Sequence, residues 1–489
     1  MRKDGGVAGF LVAPSSLSFS CLDVKPFLAA FVILSLVMAV WQLQPYEFLL
    51  SSPPCSLPNS SPSLLKKKIS SFYSSSSNLS LLSSSSISGP KLRSFRFYGS
   101  AAALFVQMGA YRGGANTFAV VGLASKPTHV FGKPWFKCEW VPNSNTSSPV
   151  RAKAYKFLPD WGYGRVYTAV VVNCTFPIVP NADNAGGRLF LYAYYSPSPR
   201  RYEKFVALEE APNSFSESRF HPPFNYEYLY CGSSLYGNLS ASRIREWVAY
   251  HAHFFGPSSH FVFHDAGGVS AEVRAVLEPW VKLGRATVQD ITAQAEYDGY
   301  YYNQFLVVND CLHHFRHAAN WTFFFDVDEY MYLPDGRTLE AVLAELSNYT
   351  QFTIEQNPMS SSLCLKEPSN HYNREWGFEK LVFRNSITGV RRDRKYAIQA
   401  KNSFATGVHM SENVVGPTTH KTESMIRYYH YHNSINVLSE PCQVFVQMPK
   451  RDDSTWHDNI PYIYDDNMKR LAAKIKRFEE QTIGDLRDK

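Results

Sequence analysis

The second half of the chain alternates between short apolar runs and longer amphipathic stretches. Apolar runs of strand length lie at 226–231, 260–264, 286–291 and 321–325, and polar or turn-forming residues follow each of them. Between these runs, apolar residues recur with the spacing of one helical face. This β-α-β-α-β-α-β order predicts a parallel sheet with right-handed crossovers.

The amphipathic stretches carry signals for three helices. One is expected to begin near Ser240, and Ser270 caps the next. A third is expected over residues 301–315, with Phe305 and Leu312 facing inward. The fold class expected for this half of the chain is therefore α/β.

The last apolar run, Trp321–Phe325, is followed at once by carboxylates. In an open α/β sheet, ligands bind just beyond the carboxyl ends of the strands. Asp326 and Asp328 at such a position offer hard oxygen ligands, which suit Mg²⁺ or Mn²⁺ and leave coordination positions for phosphate oxygens. The pattern indicates a metal-dependent transferase with a nucleoside-diphosphate donor. The alternative is a solvated corner between a strand and a loop.

Residues 26–43 form an uncharged apolar segment. At about 1.5 Å per residue, this length just spans a bilayer core of about 30 Å. The alternative is a cleaved signal peptide, whose apolar region is usually shorter. Because basic residues precede the segment, we expect a cytosolic tail at 1–25, a single transmembrane anchor at 26–43 and a lumenal catalytic part.

Residues 44–93 are rich in Ser, Pro and Leu. Such a composition buries too little surface to offset chain entropy, so this segment is expected to behave as a stalk. The triplets that begin at Asn59 and Asn78 match N-glycosylation sites of a lumenal glycoprotein.

Residues 94–219 consist of short aromatic and β-branched runs separated by Gly, Pro and Asn, which predicts an all-β sandwich. Cys138 and Cys174 lie in two of the predicted strands and could form a disulfide in an oxidising lumen. Trp161 and Tyr163 are candidates for a carbohydrate-binding surface. The alternative is a structural β-domain, because Trp in a sandwich is more often a core residue.

The charge distribution argues against nucleic acid as a partner. The formal net charge of +7 is mild for 489 residues, and the lysines and arginines are scattered along the chain. Nucleic-acid binders concentrate positive charge on one face or segment. The eight cysteines also show no zinc-binding pattern.

Several short motifs follow one another between residues 225 and 445. They are Cys231-Gly-Ser-Ser-Leu-Tyr-Gly237, Glu246-Trp247 with Tyr250-His251, Asn309-Asp310-Cys311-Leu312, Phe325-Asp-Val-Asp-Glu-Tyr330, Gly407-Val-His409 and Tyr429-His430-Tyr431. Together they resemble glycosyltransferase family 92. With the anchor, the stalk and the β-rich region, the chain resembles the plant members that synthesise β-1,4-galactan.

The resemblance implies a GT-A-type, Rossmann-like catalytic domain over 220–455. The residues that follow, 456–489, predict a C-terminal tail with a charged amphipathic helix from about Asp466 to Glu480. It implies an inverting transfer of galactose from UDP-galactose to the growing end of a β-1,4-galactan, a pectin side chain of the plant cell wall. The implied cofactor is Mn²⁺ or Mg²⁺. The implied setting is the Golgi membrane, as a single-pass type II protein, with a homodimer left open.

On this resemblance, Asp326 and Asp328 hold the metal together with a histidine from the C-terminal part. His409 and His430 are the candidates for that ligand, since His420 and His432 fit less well. The alternative for each histidine is a capping or buried structural role.

The resemblance also implies a carboxylate base downstream of the metal motif, since inversion needs a group that takes the acceptor proton. Glu379 is preferred, and Glu375 is the alternative beside it. Glu329 is a candidate for the same role or for a contact to the metal ligands or the acceptor. Candidates for donor and nucleotide binding are Cys231, Gly232, Ser233, Asp265, Asp310 and Asp326. For Asp265, a turn-forming role is the alternative.

Two further readings of the chain remain open at this point. One is the same fold with another UDP-sugar donor, such as a UDP-pentose. The other is a non-catalytic, membrane-anchored carbohydrate-binding protein. The cysteines at 231, 311, 364 and 442 are expected to form lumenal disulfides of unspecified connectivity.

Overall fold

The computed structural model describes residues 91–484, apart from short gaps at 100–102, 126–134, 145–147, 161–165, 196–199, 298, 367–371, 388–392, 437–440 and 451–452. The predicted tail and anchor, most of the predicted stalk, and Trp161 and Tyr163 lie outside the described residues. In the part that is described, no helix combines the length and the apolar character needed to cross a membrane.

The N-terminal region folds as one antiparallel sheet of eight strands. The strand order is β2-β3-β4-β7-β6-β5-β8-β9, so all eight strands belong to one continuous hydrogen-bonded sheet, where the sequence predicts a sandwich of two sheets. The sheet curls so that its two edges come close together. Across them, the Gln107 side chain of β3 donates a hydrogen bond to the carbonyl oxygen of Ala207 in β9 at 2.9 Å. The strands are β2 (Arg96–Tyr98), β3 (Phe105–Arg112), β4 (Thr117–Ser125), β5 (Trp135–Pro142), β6 (Val150–Phe157), β7 (Tyr167–Thr175), β8 (Gly187–Tyr194) and β9 (Tyr202–Glu210).

An aromatic core fills the inside of this curled sheet. Phe105, Phe118 and Trp140 are fully buried there. The predicted disulfide between Cys138 and Cys174 is confirmed, and it joins β5 to β7 across β6.

The C-terminal region is built on a mixed ten-stranded sheet in the order β1-β12-β11-β10-β13-β18-β15-β22-β14, with β21 beside β15. Strands β1, β12, β11, β10 and β13 run parallel, and β18 then pairs antiparallel with β13. Strand β1 (Lys91–Leu92) falls within the last residues of the predicted stalk. The other strands are β10 (Tyr226–Leu235), β11 (Ser259–Asp265), β12 (Ala286–Asp290), β13 (Ala319–Phe324), β14 (Glu329–Tyr332), β15 (Gln351–Pro358), β16 (Leu363–Leu365), β17 (Phe383–Asn385), β18 (Lys395–Ile398), β19 (Ser403–Ala405), β20 (Asn413–Val414), β21 (Thr418–Thr419), β22 (Arg427–His430), β23 (Val444–Val446), β24 (Thr455–His457) and β25 (Ile460–Tyr464).

The helices cover the sheet as the alternating pattern predicts. Ser240 and Ser270 cap the first two, since each hydroxyl accepts from a backbone N–H of the first turn. The third helix starts later than predicted, because residues 301–303 have positive φ angles between 48° and 56°. The helices are α1 (Ala241–Phe255), α2 (Ala271–Lys282), α3 (Gln304–His314), α4 (Leu339–Glu345), α5 (Gly377–Lys380) and α6 (Asn467–Ile483).

Strand β10 departs from the prediction in one respect that matters for the site. The sequence predicts a turn at residues 232–234, but the strand continues to Leu235. Its register with β11 shifts between Cys231 and Ser234, as in a β-bulge.

The β-rich N-terminal region shares a core with the C-terminal region. Val106, Val121 and Val171 of the curled sheet pack against Leu306 and Val307 of α3. The described residues between 91 and 484 all belong to one compact unit. The curled sheet therefore supports one face of α3.

Candidate functional site

Asp326 follows the parallel strand β13, and both of its carboxylate oxygens are engaged. Ser233, in the β10 bulge, donates from Oγ to Oδ1 at 2.6 Å, and Lys395 donates from Nζ to Oδ2 at 2.7 Å. Gln304, the first residue of α3, donates to Ser233 Oγ at 2.7 Å. Burial alone would raise the pKa of Asp326, but Lys395 and Ser233 lower it below its ordinary value, so the carboxylate is ionised.

The backbone around Asp326 is fixed from several sides. Trp247 Nε1 donates to the carbonyl oxygens of Asp326, at 3.1 Å, and of Glu329, at 2.7 Å. The backbone N–H of Asp326 donates to Glu329 Oε2 at 2.7 Å. This acidic loop is therefore held rigidly at the end of the sheet.

Asp328 lies beside two histidines, one in the last position of β22 and one just after that strand. Strand β22 runs between β14 and β15, which places His430 opposite Glu329 on one side and Pro358 on the other. One side-chain ligand atom each of Asp328, His430 and His432 lie within 4.8 Å of one another. One carboxylate and two imidazoles are ligands that suit a divalent first-row metal and leave coordination positions free for phosphate oxygens.

The orientation of His430 fits a ligand role. Its Nδ1 contacts Gln356 Oε1 at 3.2 Å, and its Nε2 lies 3.6 Å from Asp328 Oδ2. Metal-binding histidines usually bond their second nitrogen to a polar group in this way. Burial alone would lower the pKa of His430, but Asp328 and Glu329 raise it.

Glu329 lies below this group as a buried carboxylate. Lys395 Nζ is 3.3 Å from Glu329 Oε2 and only 3% of the lysine side chain is exposed. Burial raises the pKa of Glu329 to about 7, although the ammonium of Lys395 opposes the shift. The Glu329 carboxylate therefore contacts the backbone of Asp326 from inside the protein and does not face open solvent.

Asp326 and Asp328 line an open cleft in front of the sheet. Its walls include Ser233, Gln304 and Tyr236, and His430 and His432 lie on the far side. We call this the first cleft. Its position beyond the ends of parallel strands is the one that open α/β sheets use for ligands.

His409 is not part of the group around Asp328. It lies in a loop, where its Nδ1 contacts the carbonyl oxygen of Arg394 at 3.1 Å. The two histidines that the structure does bring to Asp328 are His430 and His432, and the second of these had been the weaker candidate from the sequence.

The two carboxylates preferred as bases lie against the C-terminal helix α6. Glu375 pairs with Lys469 at 2.8 Å, and Glu379 accepts from Lys476 and from the backbone N–H of Trp376. Neither residue lines the first cleft. The physical reason is that Lys469 and Lys476 of α6 pair with the two carboxylates.

Several predicted donor-binding residues have structural roles instead. Cys231 forms a buried disulfide with Cys311, and the side chain of Asp310 is fully buried against Arg93. These two predictions are corrected, because neither side chain is available to a ligand. Asp265 Oδ1 accepts from the N–H groups of Gly267 and Val269, which is the turn-forming alternative.

Of the remaining donor candidates, Ser233 lies in the first cleft next to Asp326, and Gly232 bonds through its carbonyl to buried His264. The sequence patterns do not single out Lys395, whose ammonium contacts Asp326 in the structure. The signal that was available is its place at the head of the apolar strand Lys395–Ile398.

Comparison with known proteins identifies the family. The family model of glycosyltransferase family 92 matches residues 226–481, just over half of the chain. The chain belongs to glycosyltransferase family 92. The resemblance seen in the motifs is confirmed, and so is the expectation that this family 92 member is a glycosyltransferase.

Two relatives from Arabidopsis thaliana are similar over most of their length. Galactan beta-1,4-galactosyltransferase GALS1 is 59% identical over 498 residues, covering 99% of this chain and 99% of that protein. Galactan beta-1,4-galactosyltransferase GALS2 is 52% identical over 402 residues, covering 80% of this chain and 76% of that protein.

Two solved glycosyltransferase structures show only a faint similarity. The bifunctional glycosyltransferase WbbM is 10% identical, with a TM-score of 0.18 and coverage of 32% of this chain and 27% of its own. The galactosyltransferase LgtC is 13% identical, with a TM-score of 0.18 and coverage of 36% and 58%. These values are too low to support a comparison of sites.

Proposed function

We propose that this family 92 protein transfers galactose from UDP-galactose to the growing end of a β-1,4-galactan, with inversion at the anomeric carbon. The observation that carries the proposal is the 59% identity to a galactan beta-1,4-galactosyltransferase over 99% of both chains. The Asp328 group supports it, because the group lies where a parallel sheet of this kind receives its ligand.

Asp328, His430 and His432 would hold the divalent ion, for which we propose Mn²⁺. A metal bound there supplies positive charge that neutralises the departing diphosphate. Gln356 orients the His430 ring, and Lys395 and Ser233 keep Asp326 ionised at the cleft wall. We also propose a GT-A fold for this region, which the parallel strands followed by a mixed half-sheet support.

The proton of the acceptor hydroxyl must pass to a base. Glu375 and Glu379 each have a lysine of α6 as partner, and Glu329 is buried against Lys395. None of these three carboxylates is therefore assigned as the base that takes the acceptor proton.

We further propose a lumenal, Golgi-membrane location, with residues 26–43 as a type II anchor and pectic galactan as the acceptor. The three disulfides in the described part of the chain support an oxidising compartment.

The function is tested with the full chain, UDP-galactose, Mn²⁺ and a galacto-oligosaccharide. We expect UDP release together with a product extended by one β-1,4-linked galactose. A UDP-pentose as donor provides the comparison. Faster transfer from the pentose donor would overturn the donor assignment, and oligosaccharide binding without any turnover would overturn the enzyme assignment.

Replacing His432 by alanine is expected to weaken Mn²⁺ binding more than replacing His409 by alanine. His432 lies in the Asp328 group, whereas His409 contacts a backbone carbonyl. Loss of groups that support a metal site typically costs about 10–100-fold in metal affinity or activity, and we expect at least this for His432→Ala. Mn²⁺ titration of the transfer rate measures it. A larger effect of His409→Ala would contradict the assignment.

A further inference from the structure

A second cleft opens beside the Asp328 group. One side consists of the end of β15 and the loop at residues 359–362. The other side includes the hairpin of β24 and β25, with His457 and Asp458 at its tip. We call this the second cleft.

The two clefts are continuous. His432 and Asn433 line both of them. Because His432 belongs to the group that would hold the metal, a molecule in the second cleft reaches the place where the donor sugar leaves its diphosphate.

The second cleft is suited to a neutral ligand. Among its described lining residues there is no lysine or arginine, and the acidic side chains are those of Glu355 and Asp458. Ser361 and Ser362 contribute hydroxyl groups that can both donate and accept. A phosphate group would find no lysine or arginine here and would face two carboxylates, whereas a polyhydroxylated sugar chain would find many hydrogen-bonding groups.

The hydrogen-bonding state of the Gln356 side chain indicates where such a ligand binds. The residue is 7% exposed, and its Oε1 contacts His430 Nδ1. Its Nε2 is buried and has no hydrogen-bond partner within the described chain. The residue also lines the second cleft. Buried polar groups nearly always have partners, so an unpaired one in a cleft indicates a missing ligand atom.

The wall of the second cleft is held in place before any ligand binds. Ser360 Oγ accepts from the backbone N–H groups of Ser362 and Leu363, at 3.3 and 3.0 Å. The disulfide between Cys364 and Cys442 then ties this segment to the chain near β23. A preformed site costs less ordering when the ligand binds.

We propose that the second cleft binds the acceptor, a neutral chain of sugar residues, and that Gln356 Nε2 donates to a hydroxyl oxygen of its terminal sugar. This inference rests on the proposed function, since it assumes that the first cleft takes the nucleotide sugar. It places the acceptor on a surface that adjoins the donor site and shares His432 and Asn433 with it.

The test is a variant that narrows the second cleft without touching the first. Ser361 is half-buried, and its side chain has no bond within the described residues. Ser361→Trp is expected to raise the KM for the galacto-oligosaccharide by about tenfold or more, which corresponds to about 1.4 kcal/mol of binding. The slow hydrolysis of UDP-galactose by water, measured without acceptor, is expected to stay unchanged.

Ser347→Trp is the matched control, because Ser347 is an exposed serine just after α4 and outside both clefts. It is expected to leave both rates unchanged. If the unsubstituted chain makes no product, the proposed function fails. If that chain makes product and Ser361→Trp retains its acceptor KM, or loses donor hydrolysis equally, the acceptor assignment of the second cleft is overturned.

A second measurement does not depend on the folding of the tryptophan variant. Ser361→Cys is purified and then labelled with a bulky maleimide, with the unsubstituted chain giving the background. We expect the galacto-oligosaccharide, but not UDP-galactose, to slow the labelling. Labelling that the oligosaccharide leaves unaffected at concentrations supporting transfer would overturn the proposal.

Discussion

Replacing Asp328 by asparagine is expected to lower the rate of galactose transfer on the order of a thousandfold, because neutralisation of the leaving diphosphate by a metal is worth several kcal/mol. Asp328 is the carboxylate of the group that also contains His430 and His432, and an amide supplies no negative charge to a cation. The measurement is the initial rate of transfer at saturating UDP-galactose over a range of Mn²⁺ concentrations.

The control for this variant is Asp335→Asn. Asp335 is exposed and has a φ of 57°, a left-handed conformation that asparagine tolerates. We expect its transfer rate and Mn²⁺ dependence to match those of the unsubstituted chain. Thermal unfolding of both variants separates a loss of metal binding from a loss of folding. An Asp328→Asn protein that keeps its rate and its Mn²⁺ dependence would remove the metal assignment.

The parallel half of the catalytic sheet was predictable because each of its strands and helices is indicated by the sequence pattern of its own segment. Strands β11 and β13 are buried almost throughout and have apolar runs at their centres, and each helix between the parallel strands shows one apolar stripe. The acidic loop after β13 was predictable for the same reason, since it ends the most apolar of these runs.

The second half of the sheet was not predictable in the same way. Strand β22 pairs with β14 and β15, which lie far from it in sequence, and this pairing alone places His430 opposite Glu329. Lys395 likewise reaches Asp326 only because β18 pairs with β13. Amino-acid composition and motif spacing do not indicate which strands pair over such long separations in sequence.

Glu379, the base preferred from the sequence, shows that a sequence does not reveal which charged side chains will pair. Glu379 follows a Trp-Gly pair and looks free in sequence, but Lys476 of α6 pairs with it. The sequence indicated that α6 would be a charged helix, without indicating which carboxylates its lysines would contact.

A buried polar cluster joins the start of the described chain to α3. Both carboxylate oxygens of Asp310 accept from Arg93 Nη2, at 2.7 and 2.8 Å, and Oδ1 also accepts from Tyr111 at 2.6 Å. Arg93 follows β1, and Tyr111 belongs to the curled sheet. The Asp310 side chain is fully buried, so water does not screen these contacts.

Asp310→Asn is expected to lower the free energy of unfolding by about 3–5 kcal/mol, because it leaves the charge of Arg93 buried without its partner. Urea unfolding measures this effect. Glu345→Gln breaks an exposed pair with Arg337 and should cost about 1 kcal/mol or less. Since α3 begins at Gln304, which positions Ser233 against Asp326, we also expect slower transfer by Asp310→Asn. Equal stability of the two variants would show that the curled sheet and α3 are held together by their apolar contact alone.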